Sequence, residues 1–237
     1  IPVFMDYKES ILVNAFVEYV RSVLSMVEQD FSYESVFRFL RTGFTEFTRD
    51  EIDRLENYVV AVGLRGYKKW QAVWARKTSS ADEEELAVLN GLRVRFVEMT
   101  QSLVFVLKQR KKTVRDICEA VYRFFVENQI QQKLKVMENC FAEKKELALA
   151  KEYAQIYRIV LELFDKFAEL LGDEGISLKE YCELLDAGLE EAKVGVIPPG
   201  MDQVVIGDVQ RTRLKSNLKA LFFVGANDTL LPGNMGQ

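Results

Sequence analysis

The chain has 237 residues, 49% of them hydrophobic and 29% charged, the balance of a folded globular protein rather than a disordered one. A formal net charge of −4 excludes coating of nucleic acid through bulk charge alone, so any contact with phosphate depends on local basic patches. There is no histidine, which removes every Ser-His or Cys-His nucleophile arrangement; the three cysteines, Cys118, Cys140 and Cys182, lie far apart without C-x-x-C spacing and read as buried thiols rather than a zinc site or a disulfide framework.

The opening Ile1-Pro2-Val3-Phe4 has neither a basic n-region nor an apolar h-region, so it is not a signal peptide, and Val3-Phe4-Met5 reads as a buried strand. Thr48 with Glu51 fits a capping box, and so do Ser80 with Glu83 and Ser177 with Glu180. The second box precedes the apolar run Leu86, Leu89, Phe96, Leu103 and Val106. Two shorter helices follow, around Val114 to Val126 and Ile130 to Leu147. From Leu149 the residues Tyr153, Ile156, Val160, Leu163, Phe167 and Leu170 alternate spacings of four and three, predicting one helical stripe of the kind found along the seam of packed antiparallel helices. Gly172-Asp173-Glu174-Gly175 supplies a stop before the last long helix, and Pro198-Pro199-Gly200 ends that helix. Val204-Val205-Ile206 and Leu221-Phe222-Phe223-Val224 then read as buried strands. No apolar run approaches the roughly 18 residues that a membrane span needs.

Strands at both ends of a long helical stretch predict a mainly α fold: a helical bundle inserted between short strands of an incomplete α/β domain. The boundaries are a strand in residues 1–7, a helical insertion over residues 8–195, and returning strands in residues 196–237. Three short strands cannot form a parallel sheet covered on both faces, so the chain, which lacks an initiator Met, reads as a piece of a longer protein. A complete small α+β protein with a minimal sheet is the alternative.

Two groups of residues are candidates for holding nucleic acid. Arg211, Thr212, Arg213 and Lys215 follow an apolar strand, where α/β sheets place ligands, and guanidinium groups there would bind phosphate through paired hydrogen bonds. Lys68, Lys69 and Trp70, within the segment from Tyr67 to Lys77, mix cations with aromatic faces as single-strand binders do. Each has a plainer reading: a solvated connecting loop for the first, and for the second a helix that buries Trp70 and Trp74 on one face while its lysines reach outward. The cluster from Lys108 to Arg115 reads as a polar turn between helices, with phosphate contact as the alternative. Asp82 to Glu85 are explained by the dipole of the helix they open, without a metal. The stripe from Leu149 to Leu170 serves either an internal core or a partner seam.

Two stretches carry a family resemblance. Val196 to Asp208, Gln210-Arg211-Thr212-Arg213 and Ala220 to Asp228, closed by Leu231-Pro232, look like the returning part of the second RecA-like domain of UvrD/RecB-type helicases. Phe39-Leu40-Arg41-Thr42-Gly43, the block from Asp50 to Val59, and Gly63-Leu64-Arg65-Gly66 with Trp70 resemble the AddB (RexB) subunit of the bacterial AddAB helicase–nuclease. Ile1-Pro2-Val3-Phe4 with Asp6 and Lys8 is similar to the strand before the helical insertion of that subunit.

The resemblance implies a DNA double-strand-break repair and recombination machine, cytoplasmic and free of membrane. Its partners would be single-stranded DNA and an AddA-type motor subunit. In that family an iron–sulfur nuclease domain follows the helicase-like half. This chain has no G-x-x-x-x-G-K-[ST] phosphate loop and no cluster cysteines, so it is expected to carry no catalytic residue, metal or cofactor of its own. After Ile206 it reads Gly207-Asp208-Val209-Gln210-Arg211-Thr212-Arg213, where active helicases have a Thr-x-His-x-x-Lys-Gly-type segment, as expected of a motor half that no longer turns over ATP. The implied role is a non-catalytic, DNA-handling and structural segment of an ATP-dependent helicase/exonuclease subunit. The competing role is a helical protein–protein scaffold without nucleic-acid contact.

Overall fold

The computed structural model describes residues 3–6, 9–78, 81–194, 204–207, 220–222 and 224. The chain divides into two compact units, one of Lys8–Gly195 and one that joins Ile1–Tyr7 to Val196–Gln237. The fold is mainly helical.

In the second unit, β1 (Val3–Asp6) pairs in parallel with β4 (Val204–Gly207), with Val3 opposite Val204 and Met5 opposite Ile206. For the described residues of β4 and of the 221–224 run, the expected burial does not follow. Val204 and Ile206 are about half exposed, while Leu221, Phe222 and Val224 form no strand and are 59%, 86% and 90% exposed. Among the described residues of this unit the β1–β4 pair is the regular structure, and an apolar run is buried only where another element lies over it.

The first unit opens with β2 (Glu9–Ser10) and closes with β3 (Lys193–Val194), and these two pair antiparallel. Between them lie α1 (Ala15–Glu28), α2 (Tyr33–Leu40), α3 (Arg49–Val62), α4 (Tyr67–Gln71), α5 (Glu83–Leu107), α6 (Val114–Glu127), α7 (Ile130–Glu143), α8 (Leu147–Leu171) and α9 (Leu178–Glu191). None of these helices is long and apolar enough to cross a membrane.

Caps set most helix starts. Thr48 and Glu51 form a capping box on α3, and Ser177 and Glu180 form one on α9, because each side chain satisfies the other residue's free backbone donor. Thr113 with Asp116 makes a third, on α6, with the shorter acid at the same spacing. The start of α5 differs from expectation. Its cap is Asp82, whose carboxylate accepts from the Glu85 N–H at 2.9 Å, while Ser80 lies outside the described residues. At the other end of α3, Gly63 takes φ of +64° and Leu64 N–H reaches back to the Val59 carbonyl at 3.0 Å, a glycine stop of the left-handed kind.

The long stripe on α8 is real but shifts by one residue towards its end. Tyr153, Ile156, Val160, Phe164 and Phe167 are buried, whereas Leu163 is partly buried and Leu170 is 76% exposed. A straight helix of 3.6 residues per turn drifts away from a strict alternation of four and three, so Phe164 takes the inward place assigned to Leu163 and Leu170 rotates out. On α5 the inward positions include Arg93 and Thr100, both buried.

The core is rich in aromatics. Phe16 and Tyr19 of α1 meet Phe44, Phe124 and Phe125 at ring distances between 5.3 and 6.5 Å, and Tyr19 also meets Phe39 at 5.2 Å. A second group, Phe31, Tyr58, Tyr67, Trp70, Trp74 and Phe96, packs α4 and the segment after it onto α5. Asn14 ties the start of the helical unit to α8: it is buried, caps α1 through the Phe16 N–H, and donates to Glu152 at 2.6 Å.

Candidate nucleic-acid interface

The segment Tyr67 to Lys77 departs from the expected single helix. α4 ends at Gln71, Ala72 is extended, and Trp74 lies beyond the helix. Trp70 and Trp74 are nonetheless both buried and meet edge to face at 5.2 Å. They reach the core by different routes, Trp70 from the helix and Trp74 from the strand-like stretch that follows. The backbone of Trp74 bonds Asn90 in both directions, its N–H donating to Oδ1 at 3.0 Å and its carbonyl accepting from Nδ2 at 2.9 Å. Its indole N–H donates to the Lys69 carbonyl at 3.0 Å.

Arg93 completes this arrangement. Its guanidinium is buried and donates to the Trp70 carbonyl at 2.9 Å, the Gln71 carbonyl at 3.1 Å and Asn90 Oδ1 at 3.0 Å. A five-residue helix leaves its last carbonyls without helical partners, and Arg93 supplies them from the neighbouring helix. Trp70 is fully buried, with its ring 4.5 Å from Phe96, so its indole offers no face for a base to stack on. Lys68 and Lys69 are exposed, and neither makes an ion pair among the described residues. Buried aromatics thus hold the short helix down while its two lysines face solvent.

The turn between α5 and α6 meets the same surface. Lys108 sits 5.4 Å from the Tyr67 ring and 6.0 Å from the Phe31 ring, within cation–π range of both, and its ammonium is paired with Asp30. Asp30 also accepts from the Tyr67 N–H at 3.4 Å. The Lys108 hydrogen bond holds its carboxyl below the usual carboxylate range, with burial opposing and the charges of Lys108 and Lys68 adding to the effect. Two basic segments 40 residues apart in sequence therefore converge, with Asp30 between them. Nothing local in the sequence marks Asp30 or Arg93 for these roles, because their partners lie on other helices.

Other sequence candidates are absorbed by structure. Lys112 donates to the Gln109 carbonyl at 3.0 Å, and Arg115 donates to the Ala168 carbonyl at 3.1 Å near the end of α8. Glu83 pairs with Lys77 at 3.1 Å, and Glu85 pairs with Arg54. Arg110 and Lys111 remain exposed beside Lys108. Arg211, Thr212, Arg213 and Lys215 lie outside the described residues.

One cleft elsewhere on the helical unit is poorly suited to phosphate. Of about 300 Å³, it is rimmed by Glu46, Glu98 and Glu127, and its one guanidinium, Arg95, is engaged by Glu51 at 2.6 Å and by the Glu46 carbonyl at 3.0 Å. Among the described residues no group of three or more Cys, Asp or Glu side chains is placed to hold a metal ion. Burial pushes the Cys118 thiol up, and it pushes that of Cys182 up to about 12, so both stay protonated and unreactive at neutral pH.

No family model matches the chain. Relatives match over nearly the whole of this chain. The chain is 45% identical over 235 residues to the B subunit of the ATP-dependent helicase/deoxyribonuclease of Lachnoclostridium phytofermentans, covering 98% of this chain and 20% of that protein. Proteins of the same name from Clostridium novyi and Clostridium botulinum (strain Loch Maree) are 36% and 37% identical over 98% and 100% of this chain, and over 20% and 21% of their own lengths. The chain spans about a fifth of the length of these curated relatives. Over nearly its whole length the chain is homologous to one stretch, about a fifth, of ATP-dependent helicase/deoxyribonuclease B subunits.

Proposed function

We propose that this chain is a non-catalytic, DNA-handling and structural segment of an AddB-type helicase/deoxyribonuclease subunit, acting in double-strand break repair in the bacterial cytoplasm. The helical unit is an insertion in the second RecA-like domain of the whole protein. β1 and β4 are two strands of that domain's sheet, whose remaining strands and covering helices come from elsewhere in the protein. This reading is supported by the antiparallel pairing of β2 with β3, which brings the two ends of the helical unit together, and by the parallel pairing of β1 with β4 on either side of it in sequence. An insertion must leave and rejoin its host at neighbouring points, and parallel host strands require a long crossover between them.

The observation that carries the DNA-handling role is the convergence of Lys68 and Lys108 about Asp30 over buried aromatics, with Lys69 exposed next to Lys68 on the same short helix. The lysines hold the backbone of unwound single-stranded DNA through phosphate; Arg211, Thr212, Arg213 and Lys215 are a second, separately tested group of phosphate contacts. No bond is made or broken here. The segment shapes a path for the strand and contacts an AddA-type motor subunit.

The test is fluorescence anisotropy of a labelled single-stranded oligonucleotide at several salt concentrations. Wild type is expected to weaken log-linearly with salt, and Lys68→Ala/Lys69→Ala to lower that slope by about 1.4, since each lost phosphate contact on a single strand accounts for about 0.7. The same comparison with Arg211→Ala/Arg213→Ala tests the second group. An unchanged slope in both double variants would overturn the assignment of these contacts.

A protein–protein scaffold is the second reading, favoured by the exposed apolar side chains of Phe105, Val136 and Leu170, which are 72%, 67% and 76% exposed. Tight binding to the motor subunit with no oligonucleotide affinity would select it.

A further inference from the structure

We infer that Asp30 is a built-in competitor for nucleic-acid phosphate: its carboxylate occupies the Lys108 ammonium, and a DNA strand binds by taking that ammonium over. The inference rests on the DNA-handling surface proposed above and concerns how that surface is regulated.

Asp30 is placed by its backbone. Asp30 and Phe31 follow α1 with φ of +46° and +58°, two adjacent non-glycine residues in the left-handed region, where side chains are rarely accommodated. The conformation is held from both sides. Phe31 N–H donates to the Met26 carbonyl at 2.8 Å, and the Phe31 ring is fully buried, 4.6 Å from Tyr67 and 6.0 Å from Phe96. The Asp30 carboxylate therefore projects from a fixed corner. Its side chain is 63% exposed and that of Lys108 is 40% exposed, so the pair is open to an incoming strand.

The ammonium is placed independently of its counterion. Tyr67 and Phe31 lie beneath it, so Lys108 has an aromatic seat that persists when the carboxylate is exchanged for a phosphate. The charge of Lys68 is felt at Asp30, so the anion sits among the cations that a phosphate would use. An exposed ion pair of this kind is weak enough to be exchanged, yet it must be broken before Lys108 can serve the strand. Asp30 thus sets a threshold: short or isolated anions gain little from the site, whereas a strand that also engages Lys68 and Lys69 displaces the carboxylate.

The test is a double-mutant cycle on the whole 237-residue chain, read by anisotropy with a labelled oligothymidylate at low and moderate salt. Asp30→Asn keeps the size of the side chain and the oxygen that accepts from both the Tyr67 N–H and Lys108, but removes the charge that holds the Lys108 ammonium. Asp30→Gly is the second variant, because glycine tolerates positive φ and protects the fold. Both are expected to bind about threefold to fivefold more tightly than wild type, the range that the loss of an exposed ion pair allows. The gain should vanish in the Lys108→Ala background. A gain of equal size with and without Lys108 would mean only that a negative charge had been removed, and would overturn the inference, as would no gain in either Asp30 variant. If Lys68→Ala/Lys69→Ala weakens binding while the Asp30 variants stay neutral, the surface stands and the competitor role falls. Absence of binding by wild type and by both Asp30 variants removes both readings together.

Discussion

Replacing Arg93 by methionine tests whether one buried guanidinium organises the basic surface. Methionine is close in length and apolar, so it fills the space while removing the three hydrogen bonds to the Trp70 carbonyl, the Gln71 carbonyl and Asn90. Hydrogen bonds to a charged group contribute about 1.5–3 kcal/mol each, a gross loss of about 4.5–9 kcal/mol for three. Returning the guanidinium to water in the unfolded state opposes that loss, since burial of a charge costs several kcal/mol. No carboxylate pairs with Arg93 among the described residues, so no stranded acid adds to the effect. The net expectation is a destabilisation of about 2–4 kcal/mol, or about 4–16 °C in Tm at the 2–4 °C per kcal/mol usual for chains of this size. Urea denaturation followed by circular dichroism measures it, with Arg93→Lys as the intermediate case because one ammonium cannot reach three acceptors as a planar fork does. A methionine variant within about 0.5 kcal/mol of wild type would refute the argument, because change that small is usual for surface sites without a structural role.

The other expectations are more local. Trp70→Ala should cost about 3–5 kcal/mol by calorimetry, as removal of a large buried aromatic does, and a near-neutral result would return the indole to the surface-contact set. Gly172→Ala should destabilise by about 1–3 kcal/mol, since a Cβ there would lie 2.2 Å from the Ala168 carbonyl oxygen and 2.5 Å from Arg115 Nη2, and the chain must shift to admit it. Thr113→Ala, which opens the capping box on α6, should lower stability by about 1 kcal/mol in the same urea assay. Acid should weaken the fold in part through Asp30, held down by Lys108, and Glu180, held down by the Ser177 side chain. Both folded values lie below those of the unfolded chain, so their contribution is complete above about pH 4–5 and is lost as pH falls through the folded values. Tm measured from neutral to acid pH should fall less steeply for Asp30→Asn/Glu180→Gln than for wild type; parallel curves would contradict it.

Much of the helical architecture was legible because its signals are local. A capping box such as Thr48 with Glu51 or Ser177 with Glu180 is satisfied within three residues, so its partners are visible in the sequence itself. The α8 stripe was legible for the same reason, and it shifted only where a strict repeat and a 3.6-residue turn part company, at Phe164 and Leu170. Lys68 and Lys69 stood out as cations beside aromatics. That Trp70 lies beneath them rather than beside them follows from packing onto Phe96 of α5, and no spacing within the segment encodes it.

Tertiary structure alone decided the rest. Arg93 looks like an ordinary charged residue in a helix, and it becomes a buried cap only because α4 ends against α5. Asp30 meets Lys108 across 78 residues, and their pairing requires α1, α4 and α5 to be folded together. Leu221, Phe222 and Val224 show the converse: hydrophobic sequence expresses a need for cover, and whether cover is present depends on neighbours that the run itself does not specify. Backbone hydrogen bonds and helix periods are settled between residues a few positions apart, so sequence alone carries them. Burial, ion pairing and the sharing of one surface depend on which distant elements meet, and only the folded chain determines that.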